Sequence, residues 1–193
     1  LSQAPFHPKM VLLTSLGKAF GSSGGVAVFP DEKTKSLVRN CGNTLIFTSP
    51  LTPGVLGAAI ASANIHLSDD IYVKQRALRE RIDYFVQKAN MLSLPIISKG
   101  ESPVFFLGIG KPDITLQLAQ RMMEAGFFMS VAVYPSVPYN QSGLRLMASL
   151  YHSISDIDLL LETLASEMDE IFLQAGHSKA AVMNAFRLEA AAA

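Results

Sequence analysis

Apolar positions along the chain fall into short runs near the N-terminus and into helical stripes further on. Met10 to Thr14 (MVLLT) is continuous and apolar, the pattern of a strand covered on both faces. Gly25 to Phe29 (GVAVF) and Thr44 to Thr48 (TLIFT) read as two more strands. Between them, Asp31 to Cys41 predicts a helix that starts beside Pro30 and stops at Gly42. From Thr52 the chain becomes dense in Ala, Gly and Ser, with Pro53 placed for a first helical turn, and predicts a closely packed buried helix to Leu67.

After Ser68 the spacing lengthens. Ile71, Gln75, Leu78, Ile82, Phe85 and Ala89 recur every three or four residues, which predicts an amphipathic helix. Its other face carries Lys74, Arg76, Arg79, Glu80, Arg81 and Lys88, expected to lie in solvent. Pro103 to Ile109, Phe127 to Val133 and Leu144 to Ser149 read as strands, and Asp113 to Ala125 as a helix closed by Gly126. Ile157, Leu160, Leu161, Leu164, Met168, Ile171 and Phe172 form one stripe of a final helix, with Ser153 and Ser155 as candidate N-caps and Asp156 and Asp158 in the first turn. Strands alternating with helices give an α/β chain. The composition break near Ser68 divides it into residues 1–67, 68–175 and a tail, 176–193, whose Ala190 to Ala193 end is expected to fray.

Composition narrows the function. The chain has 193 residues, 49% hydrophobic and 17% charged, so a core is available and disorder is excluded. Sixteen Lys and Arg balance 16 Asp and Glu, which argues against nucleic acid or an anionic membrane as partner. A lone cysteine, Cys41, excludes an internal disulfide framework and multi-cysteine metal sites, and is expected to be structural. Met122, Met123, Met129 and Met147 occupy core-like positions. His7, His66 and His152 receive no chemical role. A cytoplasmic protein is expected.

Lys18 stands out. It follows the first apolar run and sits among Ser15, Gly17, Ser22, Ser23, Gly24 and Gly25. A lysine partly desolvated there would be a competent nucleophile or base, with small neighbours that admit a flat ligand and donors for a phosphate. That combination suits a Schiff-base lysine for pyridoxal phosphate (PLP). A surface lysine in a flexible glycine loop fits the same pattern, and on pattern alone both readings stand.

Several motifs in consistent order extend the reading. Ser15-Leu16-Gly17-Lys18-Ala19-Phe20-Gly21, Gly24-Gly25, Leu45 to Pro53 (LIFTSPLTP), Tyr134 to Pro138 (YPSVP), Leu144-Arg145-Leu146, His152 and Asp156 to Leu160 together resemble the α-oxoamine synthase family over residues 8 to 173. The resemblance implies the C-terminal part of a fold type I PLP-dependent transferase: the end of the large mixed-sheet domain (1–67) and a small α+β domain (68–175). It implies that Lys18 holds PLP, that Ser15 bonds its phosphate, that Thr48 reaches the phosphate across a homodimer interface, and that Arg145 receives the carboxylate of an amino acid, to be condensed with an acyl-CoA. The groups such enzymes carry upstream of the lysine are not in the sequence. A chain that needs its N-terminal half for activity is therefore expected. Another fold type I enzyme, such as an aminotransferase, and a non-catalytic assembly or regulatory subunit are the alternatives.

Overall fold

The computed structural model describes residues 5–98 and 100–188. The chain divides into two units, Leu1–Tyr72 and Val73–Ala193. Each is described by itself.

In the first unit, β1 (Leu12–Ser15) and β2 (Gly25–Val28) pair antiparallel, from Leu12 opposite Val28 to Ser15 opposite Gly25. The covered strand expected at Met10 to Thr14 is instead exposed: Leu13 is 73% accessible. A two-stranded ribbon leaves both faces open unless another layer packs on it, and no such layer lies among the described residues of the unit. Leu16 is the one buried hydrophobic residue described there.

Helix α1 (Glu32–Cys41) forms as the sequence predicts. Asp31 Oδ1 accepts the Thr34 N–H at 2.7 Å, and that bond lowers the Asp31 pKa. The Gly42 N–H closes the far end on the Val38 carbonyl at 2.8 Å.

The next segment departs from expectation. Thr44 to Thr48 is not a strand; Asn43–Ile46 is a short helix, α2. The N–H groups of Leu45 and Ile46 both bond the Gly42 carbonyl, at 2.8 and 3.1 Å, so the backbone satisfies itself locally. A five-residue segment with three apolar residues has no period that separates helix from strand, and here the local bonds decide. Helix α3 (Pro53–His66) begins on its proline as predicted, but none of its residues is buried.

Helix α4 (Asp70–Met91) crosses the division between the units in its first turn, and Ile82, Phe85 and Ala89 bury its apolar stripe in the second unit. A three-stranded antiparallel sheet follows in the order β3-β5-β4, with β3 at Val104–Gly110, β4 at Ser130–Ala132 and β5 at Ser142–Met147. Alternation along β3 and β5 sends Phe105, Leu107, Leu144 and Leu146 inward. Helices α5 (Pro112–Glu124) and α6 (Ile154–Gln174) add Leu118, Met122, Leu161 and Leu164 to that core. Phe85 stacks on Phe105 with ring centroids 3.9 Å apart. Gly143 faces β3 so closely that a Cβ there would stand 2.2 Å from the Leu107 carbonyl oxygen.

Four sequence expectations are corrected in this unit. Strand β4 is shorter than Phe127 to Val133, because the Phe127 and Gly126 N–H groups bond the Met122 and Met123 carbonyls and finish α5 in a Schellman turn, with Gly126 at φ +91°. Met123 and Met147 are exposed rather than in the core: Met123 is one step around α5 from buried Met122, and Met147 shares the outer face of β5 with Arg145. The charged face of α4 is not simply solvated. Lys88 Nζ lies 3.1 Å from Asp158 and 2.6 Å from Glu162 on α6, bonds that raise its pKa. Finally, the segment from residue 176 carries α7 (Lys179–Ala185), capped by Ser178, with Val182 buried. Ala190 to Ala193 lie outside the described residues.

Candidate functional site

The loop joining β1 to β2 is closed by its own backbone. Leu16 N–H bonds the Gly24 carbonyl at 3.0 Å, Ser22 N–H bonds the Leu16 carbonyl at 2.9 Å, and Gly21 N–H bonds the Lys18 carbonyl at 3.0 Å. Gly24 sits at φ +97°, where a side chain would be strained and a Cβ would meet Leu51 Cδ2 at 2.9 Å. Leu16 is buried, and the Ser22 hydroxyl donates to the Val55 carbonyl at 3.0 Å, which anchors the loop to α3.

Lys18 and Ser15 line a recess of about 420 Å³ together with Leu16, Phe20, Val26 and His66. Ser15 Oγ accepts the Gly17 N–H at 3.1 Å, so it caps the turn and keeps its own O–H free to donate. Phe20 and His66 stack with centroids 5.0 Å apart and planes 20° from parallel. His66 Nδ1 lies 2.8 Å from the Ser62 carbonyl; since a carbonyl only accepts, Nδ1 donates and Nε2 holds the lone pair of the neutral ring. No local signal predicts this stack, because Phe20 and His66 are far apart along the chain. Lys18 is exposed, so the partial desolvation expected from its neighbours is not present. The recess nevertheless fits a flat, phosphate-bearing aldehyde in its chemistry: an amine, a free hydroxyl donor, and small residues where backbone must be approached.

Thr48 does not line this recess. Its hydroxyl donates to the Thr44 carbonyl four residues back, a bond made possible by α2 replacing the expected strand. Cys41, expected to be structural, is exposed.

Arg145 belongs to the second unit. It lies on the outer face of β5, opposite Phe106 on β3 and Ser130 on β4. Its Nη2 stands 3.8 Å from Met147 Sδ, and no carboxylate lies within ion-pairing distance of it among the described residues. Arg145 lines a cleft of about 580 Å³ whose wall is largely apolar, with Phe127, Phe128, Met129 and Met147 beside it. His152 lines the same cleft. Its Nδ1 accepts the Ser149 N–H at 3.2 Å, which places the neutral ring's proton on Nε2. Asp156, also on the wall, is engaged in a capping box: Ser153 N–H donates to Asp156 Oδ2 at 2.7 Å and Asp156 N–H donates to Ser153 Oγ at 3.1 Å. Hydrogen bonds from the Ser153 hydroxyl and then its backbone N–H hold the Asp156 carboxyl below its usual range.

Among the described residues, no helix is long and apolar enough to cross a membrane. The profile of the aminotransferase class I and II family matches residues 3–164. An 8-amino-7-oxononanoate synthase of Saccharophagus degradans is 29% identical over 83% of this chain and 40% of its own length. The mitochondrial 2-amino-3-ketobutyrate coenzyme A ligase of Mus musculus is 26% identical over 79% of this chain and 36% of its own length. In three dimensions the chain matches a serine palmitoyltransferase from S. paucimobilis with a TM-score of 0.76 at 17% identity, over 84% of this chain and 40% of that one. The chain thus spans about 40% of the length of the curated relatives it matches. With a matched profile over most of its length and the fold type I architecture in both units, the chain belongs to the aminotransferase class I and II family of PLP-dependent proteins.

Proposed function

We propose that this chain is the lysine-bearing part of a PLP-dependent acyltransferase of the α-oxoamine synthase type, which condenses an amino acid with an acyl-CoA. The observation that carries the reading is the closed β1–β2 loop, which presents Lys18 and the free Ser15 hydroxyl to one recess. Similarity to 8-amino-7-oxononanoate synthases and a 2-amino-3-ketobutyrate coenzyme A ligase favours the acyltransferases over aminotransferases within the family.

Lys18 Nζ would hold the cofactor covalently, and Ser15 Oγ–H would donate to its phosphate. Thr48 supplies a further hydroxyl across a homodimer interface, after exchanging its bond to Thr44. Bound PLP supplies an aldehyde for amines and a ring that accepts the electron pair left at the α-carbon. The Lys18 amine would also be the group that takes the α-proton of the substrate. The Arg145 fork holds the substrate carboxylate, for which a planar pair of donors is well shaped. In relatives the matched region is less than half the protein, so turnover by this chain is expected only with the remaining part of such an enzyme.

Borohydride reduction of the PLP-loaded full-length protein, followed by peptide mass spectrometry, tests the reading. The phosphopyridoxyl group is expected on Lys18, and Lys18→Ala is expected to lose both the adduct and the visible absorbance of the bound cofactor. An adduct on another lysine overturns the assignment. CoA release in a screen of amino acids against acyl-CoAs tests the reaction class, and amino-group transfer to an oxo acid without CoA release favours an aminotransferase instead.

A further inference from the structure

Two glycines stand opposite each other in the sheet of the second unit: Gly108 on β3 pairs with Gly143 on β5. Leu107 and Leu144 point inward, so both glycines face outward, on the side that carries Arg145 and Met147. Both are nevertheless buried. Without side chains of their own they leave a slot, and two other parts of the chain fill it. The Phe106 ring lies over Gly143, where a Cβ would stand 2.8 Å from its Cε1 and Cζ. Helix α7 supplies the rest: a Cβ on Gly108 would meet Phe186 Cε2 at 2.9 Å and Val182 Cγ1 at 3.0 Å. Phe186 in turn meets Phe106 edge to face, with centroids 6.0 Å apart.

Helix α7 is tied down around this slot. His177 Nε2 donates to the Ile109 carbonyl at 2.9 Å just before the helix, and Lys179 pairs with Asp169 of α6 at 2.8 Å. At the far end the Ala185 carbonyl accepts the Gln141 side-chain amide at 2.9 Å. All these groups belong to the second unit, and α7 lies beyond residues 3–164, which the family profile matches.

Phe106 has another place to go. It stands directly opposite Arg145 in the register, and such pairs hold their Cβ atoms about 4.5–5.5 Å apart on one face. A phenyl ring and a guanidinium at that separation attract each other, and the stack covers the face of the cation. In the structure the ring turns the other way, onto Gly143 and against Phe186.

We propose that α7 is a positioning element for Arg145: with Phe186 in the glycine slot it parks the Phe106 ring over Gly143, off the guanidinium, which stays open to an anion. The consequence for the substrate rests on the reading of Arg145 as the carboxylate receiver. What is added is the pair of residues, Phe106 and Phe186, that keeps this receiver free.

The full-length, PLP-loaded protein, isotope-labelled at its methionine methyls, tests it by NMR. Met147 Sδ lies 3.8 Å from Arg145 Nη2, so its methyl resonance, assigned through Met147→Leu, reports a ring arriving there. Phe186→Ala is expected to shift that resonance. In the Phe106→Leu background, Phe186→Ala is expected to leave it unmoved. Calorimetry with glycine, L-alanine and L-serine reads the consequence. Those that wild type binds are expected to bind Phe186→Ala about two- to fivefold more weakly, and to bind Phe106→Leu and the double variant as they bind wild type.

An unshifted Met147 methyl in Phe186→Ala, or an equal shift in the Phe106→Leu background, overturns the proposal, since α7 would then act only by holding the unit together. A shifted methyl, with binding lost in Arg145→Gln but unchanged in Phe186→Ala, overturns the positioning role. Binding of none of the three amino acids, or binding that ignores Arg145→Gln, overturns Arg145 as carboxylate receiver, while the methyl shift still decides where Phe106 is held. Circular dichroism of each variant establishes that it is folded before its spectrum is read.

Discussion

The hydroxyl of Tyr84 on α4 donates to Asp158 Oδ1 on α6 across 2.6 Å, joining residues 74 positions apart in sequence. Lys88, one turn further along α4, approaches the same carboxylate at 3.1 Å. The Tyr84 bond, and after it the Lys88 bond, lower the Asp158 pKa from its ordinary 3.8. A carboxyl with a depressed folded pKa adds stability that is complete above its unfolded value and is lost as pH falls through the folded one. Tyr84 and Lys88 shift the other way, so their contributions are complete below about 10 and are lost as pH rises through their folded values. Urea unfolding of Tyr84→Phe is expected to show a stability deficit at pH 7 that narrows at a pH below the lowered folded pKa of Asp158, where the carboxyl is protonated in wild type and variant alike. A deficit equal at both pH values would mean that the tyrosine acts by packing alone.

The cost of removing a side chain should follow burial on the faces of α6. Leu164 is fully buried and Leu159, on the same helix, is 59% accessible. Leu164→Ala is expected to cost about 2–5 kcal/mol, and Leu159→Ala to stay within about 0.5 kcal/mol, both read from urea denaturation midpoints.

The capping box at Ser153 is local enough to isolate. Its hydroxyl accepts the Asp156 N–H, and Asp156 returns the bond to the Ser153 N–H. Ser153→Ala should destabilise by about 0.5–2 kcal/mol, and Ser153→Gly by only about a few tenths. Thermal melts of the two variants against wild type make the comparison.

Gly24 fixes the geometry of the lysine loop. At φ +97°, with Leu51 Cδ2 2.9 Å from where a Cβ would lie, Gly24→Ala forces either the backbone or Leu51 to move. The strain is expected to be about 1–2 kcal/mol. Because the Gly24 carbonyl receives the Leu16 N–H, the loop beside Lys18 should shift as well. PLP retention, followed by absorbance during dialysis of the full-length protein, should fall in Gly24→Ala while its α6 core melts unchanged.

Much of the helical framework was legible in the chain. Helices α4 and α6 announce themselves through stripes longer than two turns, and α1, α5 and α6 through Asp31, Gly126 and Ser153 at their ends. Such signals are local: a cap or a 3.6-residue period acts within a few residues and survives whatever packs on it. The ordered motifs around Lys18, Thr48 and Arg145 likewise identified the family, since order along a chain needs no tertiary information.

Tertiary structure decided the rest. Asn43 to Ile46 became helical, where a strand over Thr44 to Thr48 was expected, because Gly42 accepted two N–H groups, a choice that the apolar pattern leaves open. Lys18 has its motif but not its expected burial, because burial depends on what packs over a residue and not on its immediate neighbours. The sequence placed Arg145 and His152 without their surroundings; only folding joined Phe127, Phe128, Met129 and Met147 to them as the wall of one cleft. Local bonding and periodicity are written in the order of residues, whereas cavities and exposure arise from contacts between distant segments, which that order does not state.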